Sequence, residues 1–150
     1  MELKIIPVVQ VLIAATLMAI ITKLSPHYLY VFHAKNTLAV VVLIIAVFIG
    51  LLAIINFRHH KTTVNPSCPE KASKVVNTGI YAYSRNPMYL ALVLALLTFA
   101  VYLSHLLAFI VIPFFIAYIT KYQIKPEERA LISLFGQAFT DYMSKVRRWF

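Results

Sequence analysis

Two short stretches concentrate the residues able to do chemistry. The first, Asn77-Thr78-Gly79-Ile80-Tyr81-Ala82-Tyr83-Ser84-Arg85-Asn86-Pro87-Met88-Tyr89, sets a cation, amides and three phenols at the head of an apolar run. Asn86 is suited to cap the following helix and Pro87 to open it, so spacing alone is met by a capped helix with interfacial tyrosines. The second is the acidic pair Glu127-Glu128, two of the five acidic residues in the chain, just after Pro126. A helix opening there places both carboxylates where its dipole favours negative charge. Other candidates carry less. Adjacent His59 and His60 diverge on a helix, which suits a solvated helix end better than a metal. The lone Cys68 excludes an internal disulfide and offers no zinc set, so no metal site is expected. Three glycines, Gly50, Gly79 and Gly136, leave no glycine-rich dinucleotide loop.

These residues must be positioned by elements that live in lipid. Of 150 residues, 61% are hydrophobic and 13% charged, too apolar a balance for a solvated globular surface. Four apolar runs, roughly 5–22, 37–57, 88–103 and 105–120, each approach the ~20 residues that cross the hydrocarbon core. The first exceeds a signal-peptide core and lacks a small-residue cleavage site, so it reads as a retained helix. The last two form a tight hairpin, with Pro113 expected to kink the fourth and His105 expected at the interface. None of the runs holds Asp or Glu, which argues against a proton-coupled transporter or ion pathway.

The tail, roughly 126–143, reads as an amphipathic helix lying against the membrane. Leu131, Ile132, Phe135, Phe139 and Tyr142 recur at spacings of three and four, opposite Arg129, Ser133 and Lys145. Trp149 and Phe150 beside Arg147 and Arg148 read as an interfacial anchor. The fold class is therefore all-α integral membrane, about four transmembrane helices plus this tail helix, in a single domain over 1–150.

The net charge of +9 does not point to nucleic acid, because the cations sit between hydrophobic runs rather than on one soluble face. Across four spans, twelve of the fourteen lysines and arginines fall on one side. The positive-inside rule then makes both termini and the 58–87 loop cytoplasmic, in a multi-pass protein expected in the cell inner membrane.

The first stretch resembles the signature of the isoprenylcysteine carboxyl methyltransferase and phospholipid methyltransferase superfamily, a Gly-x-Tyr segment followed by Arg-His/Asn-Pro-x-Tyr at the head of a span. The second block of that superfamily is similar to Glu127-Glu128-Arg129-Ala130-Leu131, Phe135-Gly136 and Tyr142. Thr62-Thr63-Val64-Asn65-Pro66, Pro69-Glu70-Lys71-Ala72-Ser73 and Val146-Arg147-Arg148-Trp149 resemble its bacterial branch. The likeness runs from about Arg58 to the C-terminus, whereas the first two spans match by hydrophobicity alone.

The resemblance implies a methyltransferase using S-adenosyl-L-methionine, with cofactor contacts at Ser73, Lys74, Val75, Val76, Tyr81, Asn86, Pro87, Met88, Tyr89 and Glu127, and Glu128 as a neighbour able to exchange roles with Glu127. Such a cofactor needs negative charge for its amino group and sulfonium, π or apolar cover for adenine and donors for its carboxylate. Arg85 is the candidate catalytic residue, orienting an anionic acceptor, with a snorkelling anchor as its alternative role. The implied partners are membrane lipid and a lipophilic methyl acceptor: a prenylcysteine carboxylate, a phospholipid amine, or another small lipophilic hydroxyl or thiol. A noncatalytic membrane assembly protein is the reading from another class. Two departures stand out. Gln123 occupies the place of an arginine that resembles a carboxylate clamp in the prenyl-protein enzymes, and Ala91 replaces a glycine expected two residues after Tyr89.

Overall fold

A computed structural model describes residues 6–30, 32–59 and 75–150. The architecture is all-α, as the apolar runs require. Helix α1 spans Pro7–Leu24, α2 Lys35–His59, α3 Pro87–Leu103, α4 Val111–Ile119, α5 Lys125–Phe135 and α6 Gln137–Lys145. Single 3-10 turns cover Pro26–Tyr28, Gly79–Ala82 and Leu106–Ile110. Pro7–Leu24, Lys35–His59 and the continuous helical stretch Leu106–Phe135 are long and apolar enough to cross a bilayer. Helix α3, apolar over 17 residues, stands at the short end of spanning length, about 25 Å at ~1.5 Å per residue.

Two packing modes build the bundle. Helix α2 presents Ala39, Ala46 and Ala53 at a spacing of seven, a small-residue stripe that lets its backbone approach α3 closely. Gly50 belongs to the same contact, since a Cβ there would meet the Cβ of Ala91 at 3.5 Å. The small residue missing from α3 is thus supplied by the facing helix. Helix α1 turns Pro7, Gln10, Ala14 and Met18 inward, and Ala14 and Met18 share a core with Leu96 and Ala100 of α3, Phe115 and Ile119 of α4, and Ile124. Large side chains that remain exposed, such as Ile44, Phe48 and Ile55 on α2, form the lipid-facing surface that replaces a hydrated one.

The second half departs from the expected boundaries in three instructive places. Pro113 falls in the first turn of α4, where its missing N–H costs little, and the preceding turn is wound as 3-10. The expected gap before the tail is absent: Thr120–Ile124 forms a π turn that joins α4 directly to α5. Pro126 supplies the physical reason, because it cannot donate to the residue four back, and the wider turn relieves that requirement. The tail instead breaks at Gly136, whose φ of +54° lies in the left-handed region, and resumes as α6.

The bundle end remote from the acidic pair is tied together by His105. Expected at the interface, it is fully buried, its Nε2 lies 2.7 Å from the Ser25 carbonyl, and its ring meets Tyr28 edge-on. The reason is the turn after α3: Ser104 adopts a left-handed φ of +52°, and its carbonyl accepts from the Tyr30 amide, which folds the first loop over the imidazole.

Candidate functional site

At the opposite end, the beginnings of α1 and α3, the end of α2, and helices α5 and α6 surround a cavity of about 430 Å³, within the range of small-molecule sites. Its walls are mostly apolar. Gly50, Ile54, Ala91 and Leu92 form the part deep along α2 and α3, Pro7 and Val8 the side toward α1, and Leu131, Phe135, Phe139 and Tyr142 the side toward the tail. These four side chains of the tail's apolar stripe face the cavity, while Ile132 and Leu134 stay exposed.

The first motif folds onto the end of α2. Gly79 has a φ of +57°, and a Cβ there would lie 2.6 Å from the Asn56 side chain, so only glycine lets this turn sit against α2. The turn then packs Tyr81 edge-on against Phe57, with ring centroids 5.0 Å apart, alongside Val76 and Ala53. Burial, reinforced by neighbouring Tyr142 and Glu127, pushes the Tyr81 phenol well above its ordinary range. Burial also raises Tyr142, whose hydroxyl donates to the Tyr81 carbonyl at 2.7 Å. Both phenols therefore stay neutral donors and π faces.

Asn86 occupies the capping position of α3 but does not cap it. Its side-chain amide donates to the Arg148 carbonyl at 3.0 Å, while its own backbone N–H donates to Ser84 Oγ at 3.2 Å. Pro87 opens the helix as expected, and Met88 and Tyr89 project into the cavity from its first turn.

The acidic pair divides into two different roles. Glu128 is a strut: its carboxylate receives Arg85 Nη2 at 3.0 Å and Arg148 through Nε at 3.1 Å and Nη2 at 2.7 Å. Arg85 is only 9% exposed, and its Nη1 donates to the Met143 carbonyl at 3.3 Å. Burial lowers the Arg85 pKa, opposed by Glu128, whereas the hydrogen bond to Glu128 raises that of Arg148. Snorkelling is thus not what Arg85 does. Arg148 and Trp149 likewise turn inward: Arg148 pairs with Glu128, and Trp149 packs on the central core.

Glu127 points the other way, into the cavity. Its Oε1 accepts from the Tyr89 hydroxyl and from Gln123 Nε2 at 2.8 Å. Gln123, 1% exposed within the π turn, holds Glu127 through this bond. Among the described residues no cation pairs with Glu127. A carboxylate in apolar walls with two neutral donors and no counter-ion among the described residues is matched by a ligand that brings positive charge.

Of the expected cofactor residues, Val75, Val76, Tyr81, Asn86, Met88, Tyr89, Glu127 and Glu128 line this one cavity together with Arg85, whereas Pro87 opens α3 without lining the cavity. Ser73 and Lys74 lie outside the described residues, as do His60 and Cys68. The described residues contain no cluster of metal-ligating side chains. Sequence reasoning missed the α1 and α2 walls, Pro7, Val8, Gly50, Ile54 and Phe57, which carry no chemistry of their own. Gly50, the sole glycine of its span, was the available signal.

Fold and cavity together define a helical membrane protein with a largely apolar cavity at one end of its bundle. Comparison with known proteins gives the class a family: the phospholipid methyltransferase family matches residues 34–138, and the chain belongs to it. It is thereby a member of a family of membrane methyltransferases. An uncharacterized protein of Haemophilus influenzae is 44% identical over 62 residues, which cover 41% of this chain and 98% of that protein. No solved structure matches.

Proposed function

We propose that the chain is an S-adenosyl-L-methionine-dependent methyltransferase acting on a lipophilic acceptor at the cytoplasmic face of the cell inner membrane. The observation that carries this reading is Glu127, a carboxylate without a cationic partner among the described residues, aimed into an apolar cavity and held by Tyr89 and Gln123. The cofactor's positive amino group and sulfonium suit that carboxylate, and Tyr81, Val76 and Met88 offer the π and apolar cover that adenine requires. When bound, the cofactor supplies a methyl group activated for in-line transfer.

The chain's own contribution is to hold and to dry the reacting groups. Glu127 fixes one end of the cofactor, and the apolar walls exclude water from an acceptor reaching the site from the bilayer. Arg85 has its η nitrogens engaged with Glu128 and Met143, which favours a positioning role: it fixes the carboxylate that orients the tail. Its positive charge at the cavity wall still favours an anionic part of either ligand.

Gln123 supports an acceptor other than a prenylcysteine carboxylate. An arginine there could form a bidentate clamp, whereas this amide is turned inward onto Glu127. A phospholipid amine or another small lipophilic nucleophile fits that corner better. The cytoplasmic placement rests on the distribution of lysine and arginine between the runs. Calorimetric titration of the purified chain with S-adenosylmethionine tests the reading. Saturable one-to-one binding is expected, and a chain that binds neither it nor S-adenosylhomocysteine is no methyltransferase of this kind.

A further inference from the structure

The residues beyond Gly136 form an arm whose attachments are unusual. Phe139 and Tyr142 are the buried side chains of α6, and both line the cavity. Gln137, Ala138, Asp141, Ser144 and Lys145 of α6 are exposed. Most of the arm lies past residue 138, where the family match ends.

What holds the arm down is mostly polar, and nearly every link lands on the site itself. Tyr142 donates to the Tyr81 carbonyl at 2.7 Å, the Arg85 amide donates to the Arg147 carbonyl at 3.1 Å, and Arg85 Nη1 and the Asn86 side chain donate to the Met143 and Arg148 carbonyls. The bidentate pair of Arg148 with Glu128 closes the set, and apolar contact is added by Trp149 on the central core and by the buried Phe139 and Tyr142. At the other end stands Gly136, with a positive φ and nothing within 4 Å of the place a Cβ would occupy. A glycine in open space between two helices is a joint able to absorb a backbone rotation without steric resistance.

We infer that the arm from Gln137 to Phe150 is a gate over the cavity for its water-soluble ligand, pivoting at Gly136 and latched by Arg148 on Glu128. The inference rests on the cofactor reading above. With the arm down, Phe139 and Tyr142 wall the cavity where a ligand from water would pass, while the sides lined by Pro7, Val8 and Ile54 are left to a ligand from the bilayer. The latch is suited to switching because its partners differ in burial: Arg148 is 30% exposed and free to exchange its carboxylate for water, whereas Glu128 retains Arg85 when it does. Opening therefore does not strand a buried charge.

The test is the kinetics of S-adenosylhomocysteine with the full chain in lipid nanodiscs, followed by stopped-flow for the parent chain and for Arg148→Gln. Loss of the bidentate latch is expected to raise both the association and the dissociation rate, each on the order of tenfold, with a smaller change in Kd. A purely structural arm would raise dissociation with association unchanged or slowed, and that result, or two unchanged rates, overturns the gate. Hydrogen exchange on the parent chain provides a readout that needs no variant. Saturating S-adenosylhomocysteine is expected to slow the amides of 137–148 together, and exchange there that ignores the ligand also overturns the gate. A parent chain that binds no ligand overturns the cofactor reading and the gate with it, whereas binding with unaltered rates overturns the gate alone.

Discussion

Glu127→Gln isolates the charge on which the cofactor reading depends. Tyr89 and Gln123 both donate to the same oxygen, Oε1, and a glutamine carbonyl in that place can accept both hydrogen bonds. The substitution preserves volume and internal hydrogen bonding and removes only the negative charge facing the cavity. A hydrogen bond to a charged group contributes about 1.5–3 kcal/mol, so affinity for S-adenosylmethionine should fall roughly tenfold to a hundredfold. Glu127→Ala serves as the contrast, because it also removes the acceptor of the Tyr89 hydroxyl and should lower stability by a further ~1–3 kcal/mol. Calorimetry on both variants, with thermal unfolding in the same detergent, reads the two effects separately. Unchanged affinity in Glu127→Gln, with the protein folded, would refute the reasoning.

Glu128→Ala should destabilise far more than Arg148→Ala, by about 3–5 kcal/mol, since it leaves Arg85 buried without its counter-charge; equal losses in denaturant unfolding would contradict the strut role. The glycines should rank by geometry when replaced by alanine. Gly50→Ala should be neutral or stabilising by up to ~1 kcal/mol, Gly136→Ala should cost about 1–2 kcal/mol for its left-handed φ alone, and Gly79→Ala should cost more because its Cβ also collides with Asn56. An inverted order in melting temperatures would rule out these contacts. Reporter fusions at Phe150 and within the 25–34 loop should be active on the cytoplasmic and outer sides respectively, and a Phe150 fusion active only outside would require an odd number of crossings.

What was legible in the sequence was whatever local chemistry dictates. Apolar runs free of acidic residues marked the membrane helices, Pro87 marked the head of α3, and the residues of the two motifs converge on one cavity. What escaped were decisions made by tertiary contact. Asn86 has the ideal chemistry for a cap, yet the returning tail offers the Arg148 carbonyl and takes its amide. Two adjacent glutamates cannot be told apart by type, but on a helix they point about 100° apart, which sends Glu128 to two arginines and Glu127 to the cavity. His105 looked interfacial because nothing local announces that Ser104 will fold the first loop over it. The tail's apolar stripe was correctly periodic, but periodicity says that a face is buried and not against what.

The most direct test of the central claim is transfer of a labelled methyl group from S-adenosylmethionine into a membrane lipid extract by the purified chain, run beside a farnesylcysteine analogue and the Glu127→Gln variant. Label is expected in a lipid-extractable product, sharply reduced in the variant, with little in the farnesylcysteine carboxylate. Saturable labelling of farnesylcysteine with none in the extract would contradict the inward role of Gln123, and no transfer to either would contradict the enzyme.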